Sequence, residues 1–146
     1  MVCIATPTYF GWLCNWNTTT VPNGSYALVS EASGAGESAF SPGVSITVKN
    51  LPTTSVLFPS TSGATLSGSS YLDASASNAT SVEFWILGGS YGFTGKMIGT
   101  ATATAYGWLY DWNSTTVPNG SYALLSEAFN SAGRTFSSAV SINVDN

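Results

Sequence analysis

The chain repeats itself. Residues 1–50 align without a gap on residues 97–146 at a constant offset of 96, and 29 of the 50 aligned positions are identical. The longest shared run is Thr19 to Leu28, whose second copy is Thr115 to Leu124. Residues 51–146 are themselves 96 long, so the sequence reads as the second half of one repeat followed by one complete repeat. A period near 100 residues is the size of a whole two-sheet domain rather than of a solenoid unit. Two domains are therefore expected: 1–50, an incomplete C-terminal half that needs complementation, and 51–146, a complete repeat. Met1 aligns with Met97, which places the opening of the chain in mid-repeat.

Within the complete repeat, apolar and polar residues alternate between turn signals, the mark of half-buried antiparallel strands. Strands are expected at 54–58, at 70–77 with Leu72, Ala74 and Ala76 inward, and at Ser81–Leu87 with Val82, Phe84 and Ile86 inward. Further strands are expected at 97–105, 106–115, 122–128 and 140–144. No window carries helical periodicity. Short strands at this spacing make an all-β, antiparallel β-sandwich. Tyr122, just after the turn Pro118-Asn119-Gly120, stands where a tyrosine corner would cap the backbone, and Tyr26 is its twin.

Composition removes several functions. Only 7% of residues are charged, against roughly 25% in an ordinary soluble domain, so hydroxyls and amides must solvate the surface. Three cations, Lys49, Lys96 and Arg134, are too few to neutralise a run of phosphates, and no nucleic-acid partner is expected. No apolar run approaches the roughly 18 residues of a membrane-spanning helix, so no membrane insertion is expected. There is no histidine, which withdraws the usual general base and every histidine triad; the chain reads as no enzyme. Neither a calcium-loop string nor metal-ligand spacing is present, and no cofactor or metal is expected. The carboxylates Glu31, Glu127 and Asp111 read as solvated outward positions on strands.

Val82-Glu83-Phe84-Trp85, then Ile98 to Ala101, then Tyr106 to Asn113, then Val117-Pro118-Asn119-Gly120-Ser121-Tyr122-Ala123-Leu124 follow one another in the complete repeat. This succession resembles the bacterial immunoglobulin-like domain repeats of large secreted and cell-surface proteins. The resemblance covers 51–146 and, as a half-domain, 1–50. It implies an immunoglobulin-like antiparallel β-sandwich, an extracellular or cell-surface location, and secretion as part of a longer precursor, since the N-terminus lacks a secretory leader pattern. It also implies a non-catalytic structural or adhesive repeat module: a stalk, surface array or filament subunit. The alternative is a carbohydrate-binding or spacer module of a secreted glycan-active protein. The segment Ser126 to Gly133 resembles a family segment with an acidic residue where this chain has Phe129 or Asn130, which weakens any calcium site there.

Cys3 and Cys14 occur only in the half repeat, where their counterparts are Gly99 and Tyr110. A hairpin turning near Thr8 and Tyr9 would set them opposite one another. They are either bridged, in an oxidising compartment, or two thiols. Trp108, Tyr110 and Trp112 share one strand face and read as core, as do Trp12 and Trp16. Trp85 and Leu87 fall on the outward face of their strand, and Leu125 and Phe129 join them as a candidate packing surface. The Gly-rich loop 88–95 carries Tyr91 and Phe93; it is either a plain connection or a place for a sugar ring to stack.

The half repeat lacks the strands that would cover it, so it should expose an apolar face and an unpaired edge, both of which recruit partners. The expected partners are the chain itself, as a homo-oligomer or filament, or neighbouring immunoglobulin-like repeats, with carbohydrate as the partner under the alternative reading.

Overall fold

The computed structural model describes residues 1–146, and the chain divides into two compact units, Met1–Asn50 and Leu51–Asn146. The first unit holds β1 (Thr6–Thr8), β2 (Gly11–Leu13), β3 (Gly24–Leu28), β4 (Glu31–Gly34), β5 (Glu37–Phe40) and β6 (Val44–Val48). The second holds β7 (Thr53–Phe58), β8 (Ala64–Leu66), β9 (Ser69–Ser77), β10 (Ser81–Leu87), β11 (Lys96–Thr100), β12 (Thr102–Thr104), β13 (Gly107–Asn113), β14 (Gly120–Asn130), β15 (Gly133–Phe136) and β16 (Val140–Val144).

The second unit is a sandwich of two sheets. One runs β12-β13-β9-β7; the other runs β11-β10-β14-β16-β8, with β15 on the far end of β14. Every pairing is antiparallel except that of β16 with the short edge strand β8. Alternation decides which side chains enter: Leu72 and Ala74 from β9, and Val82, Phe84 and Ile86 from β10, are fully buried. They meet Trp112 of β13, Tyr122, Leu124 and Ala128 of β14, and Ile142 and Val144 of β16 in one continuous core. Burying each of the Val, Leu, Ile and Phe side chains stabilises the sheet pair by roughly 1.5–3 kcal/mol before entropy is subtracted.

Alternation predicts one strand over 97–105, but the chain breaks at Ala101. β11 pairs with β10, whereas β12 pairs with β13, so the segment crosses from one sheet to the other at Ala101, whose N–H bonds to the Val82 carbonyl at 2.8 Å. β8 and β15 have no expected counterpart. β8 lies in a Ser/Gly-rich stretch of three paired residues, too short to carry a pattern, and β15 is the return arm of a tight hairpin closed at Asn130 and Gly133.

The first unit reproduces the local devices of the last fifty residues and the register of their three internal ladders, but not the pairings with β9 and β10 that join those ladders into two sheets. Asn17 caps a one-turn 3-10 helix through Thr19 N at 3.1 Å, as Asn113 does through Thr115 N at 3.1 Å. Tyr26 donates to the Pro22 carbonyl at 2.7 Å and Tyr122 to the Pro118 carbonyl at 2.8 Å, the two tyrosine corners. However, β14 is one strand of 11 residues, while its twin is split into β3 and β4 with a gap at Val29 and Ser30. The physical reason is the ladder that spans the equivalent gap: β10 pairs with β14 from Ala123 through Phe129. Nothing plays that part beside β3 and β4, which pair only with β6 and β5.

Candidate interaction surface

The outward face of the larger sheet gathers most of the residues singled out above. Trp85 is opposite Leu125 on one side and Met97 on the other; Glu83 is opposite Glu127, which is opposite Phe136; and Phe129 is opposite Arg134. Because Phe84 and Ile86 point into the core, Trp85 and Leu87 must point out, and the same parity places Leu125, Glu127 and Phe129 on this face. Trp85, Leu125 and Phe129 are half-buried, while Met97 and Phe136 are exposed. The Trp85 indole N–H is shielded from water and has no hydrogen-bond acceptor.

Glu127 sits among them and is 0% exposed, which corrects its reading as a solvated outward carboxylate. Arg134 Nη1 lies 3.1 Å from Glu127 Oε1, yet neither carboxylate oxygen receives a well-aligned hydrogen bond. Loss of water pushes the Glu127 carboxyl above its ordinary pKa; Arg134 opposes this and Glu83, across the ladder, adds to it. The guanidinium carbon of Arg134 also lies 5.9 Å from the centre of the Phe136 ring. Sequence patterning could have found this pair, because Glu127 and Arg134 flank the Asn130–Gly133 turn on the two arms of one hairpin.

The loop residues separate. Tyr91 packs 6.2 Å from Tyr122, and the Lys96 ammonium sits 5.3 Å over its ring, so Tyr91 belongs to the core margin. Gly89, at φ +52°, leaves the space that the Tyr122 ring fills; a Cβ there would strike the ring. Phe93 is fully exposed. It lines a shallow groove of about 500 Å³ with Leu87, Ser121, Ala123 and Ser141, predominantly apolar side chains that offer a sugar few hydrogen-bond partners.

Cys3 and Cys14 are joined by a disulfide, with Cα atoms 6.2 Å apart. The hairpin turns at Tyr9 and Phe10, one residue later than expected, since Thr8 is opposite Gly11. The two cysteines are thus not ladder partners. Their counterparts explain the contact: Gly99 lies in β11, ahead of the crossing at Ala101 and in the sheet opposite β13, and Tyr110 of β13 reaches it, donating to the Ile98 carbonyl at 2.7 Å. A Cβ at Gly99 would fall within the Tyr110 ring. An aromatic ring over glycine in one copy is replaced by a covalent bond in the other.

The open surface of the first unit is of another kind. Tyr26 and Leu28 are 37% and 40% exposed, where their twins Tyr122 and Leu124 are 3% and 0%. Ala32, twin of the buried Ala128, is exposed as well.

A family model described as a bacterial Ig domain matches residues 52–125. No curated protein matches the chain. Among solved structures, an endo-beta-1,4-mannanase from Thermotoga petrophila is similar at a TM-score of 0.52 and 15% identity, over 65% of this chain and 20% of that one. An engineered protein gives a TM-score of 0.45 at 16% identity, again over 65% of this chain and 20% of that one. The likeness to the mannanase is one of fold, and this chain spans a fifth of that enzyme's length.

Proposed function

The chain belongs to the bacterial Ig domain family, and from that premise we propose that it is a non-catalytic structural module of an extracellular or cell-surface protein, a repeat whose work is to span distance. The observation that carries this reading is where the complete repeat begins and ends. β7 starts beside Ser77, at one end of β9, while β16 ends beside Leu66, and Asn146 accepts from Gly68 N at 3.1 Å, at the other end. Nine residues of β9 at about 3.3 Å each separate the two ends by roughly 30 Å. Every repeat added in series therefore advances the chain by about that length. Few charges and many hydroxyls let like surfaces approach without repulsion, which favours self-association in an array.

The test is small-angle scattering on chains carrying one, two and three complete repeats. The maximum dimension should rise by a fixed increment of about 30–40 Å per repeat; a dimension that grows by less than half of that sinks the spacer role. A second reading, a carbohydrate-contacting module of a glycan-active protein, draws on the exposed Phe93 beside its groove and on the fold shared with a mannanase. Polysaccharide pull-down separates the two: retention lost in Phe93→Ala supports carbohydrate contact, and no retention supports the spacer.

A further inference from the structure

The run Val21-Pro22-Asn23-Gly24-Ser25 recurs unchanged as Val117 to Ser121, and in each copy its asparagine is fastened to the residue that closes the repeat. Asn50 N donates to Asn23 Oδ1 at 2.6 Å, and Asn23 Nδ2 donates to the Asn50 carbonyl at 3.0 Å. The side chain of Asn50 is fastened in turn to Thr18. Thr18 Oγ1 donates to Asn50 Oδ1, and Asn50 Nδ2 to the Thr18 carbonyl, both at 2.9 Å. The complete repeat builds the same four bonds from Asn119, Asn146 and Ser114, at 2.6–3.3 Å. The clasp therefore belongs to the repeat and not to one copy of it. Asn50 is the last residue of the first unit, and the next buried residue is Pro52. With Asn50 held, only the exposed Leu51 lies between two fixed points.

This clasp is made from a labile amide. In an Asn-Gly pair the glycine nitrogen is unshielded by any Cβ and can attack the asparagine Cγ. The Gly24 N–Cγ bond forms, the Cγ–Nδ2 bond breaks, and ammonia leaves with the glycine's proton. Water then opens the five-membered imide to aspartate or isoaspartate. The fold does not account for the glycine at 24. Its backbone is outside the left-handed region, and a Cβ there would make only ordinary contact with the Tyr26 ring, at 3.8 Å. While Oδ1 and Nδ2 both hold the Asn50 backbone, Cγ cannot turn toward Gly24 N, so the reaction waits for the clasp to open.

We propose that Asn23 and Asn119 are deamidation sites governed by this clasp, and that conversion of Asn23 to a carboxylate irreversibly frees the chain at residues 49–51. A carboxylate has no donor for the Asn50 carbonyl and sets a negative oxygen against it. In the isoaspartate product, the extra backbone carbon also moves the group out of register. The inference rests on amide chemistry and these hydrogen bonds, not on the spacer role, which scattering tests separately.

The experiment ages the intact, oxidised chain in mildly alkaline heavy-oxygen water, folded and in urea. Peptide mass spectrometry reads the label entering at Asn23 and Asn119, and amide hydrogen exchange follows residues 49–51. Both sites should convert in the folded chain, at least tenfold more slowly than in urea. Gly24→Ala should slow conversion at Asn23 at least tenfold and leave Asn119 as it was. Thr18→Ala, which removes one bond of the clasp, should speed conversion at Asn23 alone. The converted chain should exchange at 49–51 at least tenfold faster than the fresh one, with 140–144 unchanged. The proposal is overturned if folded Asn23 takes up no label or converts at the urea rate, if either substitution leaves its rate unaltered, or if conversion does not speed exchange at 49–51.

Discussion

One substitution made twice isolates what the opposing sheet contributes. Leu28 and Leu124 occupy the same position of the same sequence motif, yet Leu124 is 0% exposed and Leu28 is 40% exposed. Leu→Ala removes three carbons, roughly 2.4 kcal/mol of transfer free energy at about 0.8 per carbon. At Leu124, which lies opposite Ile86 and Val140 and is part of the buried core, the void left behind adds a cavity term, bringing the cost to about 3–4 kcal/mol. At Leu28 only the covered part of the side chain counts, and water fills the space it leaves. Scaling by the buried fraction gives a ceiling of about 1.4 kcal/mol, lowered further because the unfolded chain also covers apolar surface. Urea denaturation of each variant, followed by hydrogen exchange in peptides from β14 and from β3, reads the two units separately. With a slope near 1 kcal/mol per molar urea, Leu124→Ala should lower the midpoint of the second unit by about 3–4 M, and Leu28→Ala should lower that of the first by about 1 M or less. Equal losses at the two positions would refute the reasoning, because they would require Leu28 to be covered.

Glu127 supplies a pH test. Its pKa is raised in the folded protein by burial, so the native state binds that proton more tightly than the unfolded chain. The stability contributed by the neutral carboxyl is complete below the unfolded pKa and is lost as pH rises through the folded one. The urea midpoint should fall with rising pH across that window, Glu127→Gln should flatten the fall, and an unchanged slope would refute the assignment. Tyr122→Phe should cost about 1–1.5 kcal/mol by leaving the Pro118 carbonyl without its buried donor, whereas the exposed corner of Tyr26→Phe, where water can replace the phenol, should cost under about 0.5. Reduction of Cys3–Cys14 should speed exchange and proteolysis of residues 1–5, which form no strand and have that bridge as their tie to β2; an unchanged cleavage rate would refute the bridge's role.

The candidate surface was only partly legible. Parity along a strand places Trp85, Leu87, Leu125 and Phe129 on one face, because side chains alternate whatever the partner strand is. The burial of Glu127 depends on β15 folding back so that Arg134 reaches it, and that register is not written in the alternation of β14 alone. Tyr91 looked available because it stands in a glycine-rich loop, but the glycine at 89 is what lets the loop close onto Tyr122. The disulfide follows the same rule: the cysteines are not partners across the β1–β2 ladder, and it is their twins Gly99 and Tyr110 that the crossing between sheets at Ala101 brings together.

The two copies divide what the amino-acid sequence determined from what tertiary structure decided. Interactions that close within a few residues come out alike in both: the Asn17 and Asn113 caps, the Tyr26 and Tyr122 corners, and the Thr8 and Thr104 hydroxyls that hold Phe10 N at 3.2 Å and Tyr106 N at 3.1 Å. Each of these needs only its own neighbours in the chain, so identical local sequence suffices. Burial differs at Tyr26, Leu28 and Ala32, though not at Val48, which is as buried as its twin Val144, and the strand that is continuous in one copy is split in the other. A side chain leaves water, and a strand gains its second ladder, only when another segment stands opposite, and β9 and β10 stand opposite one copy alone.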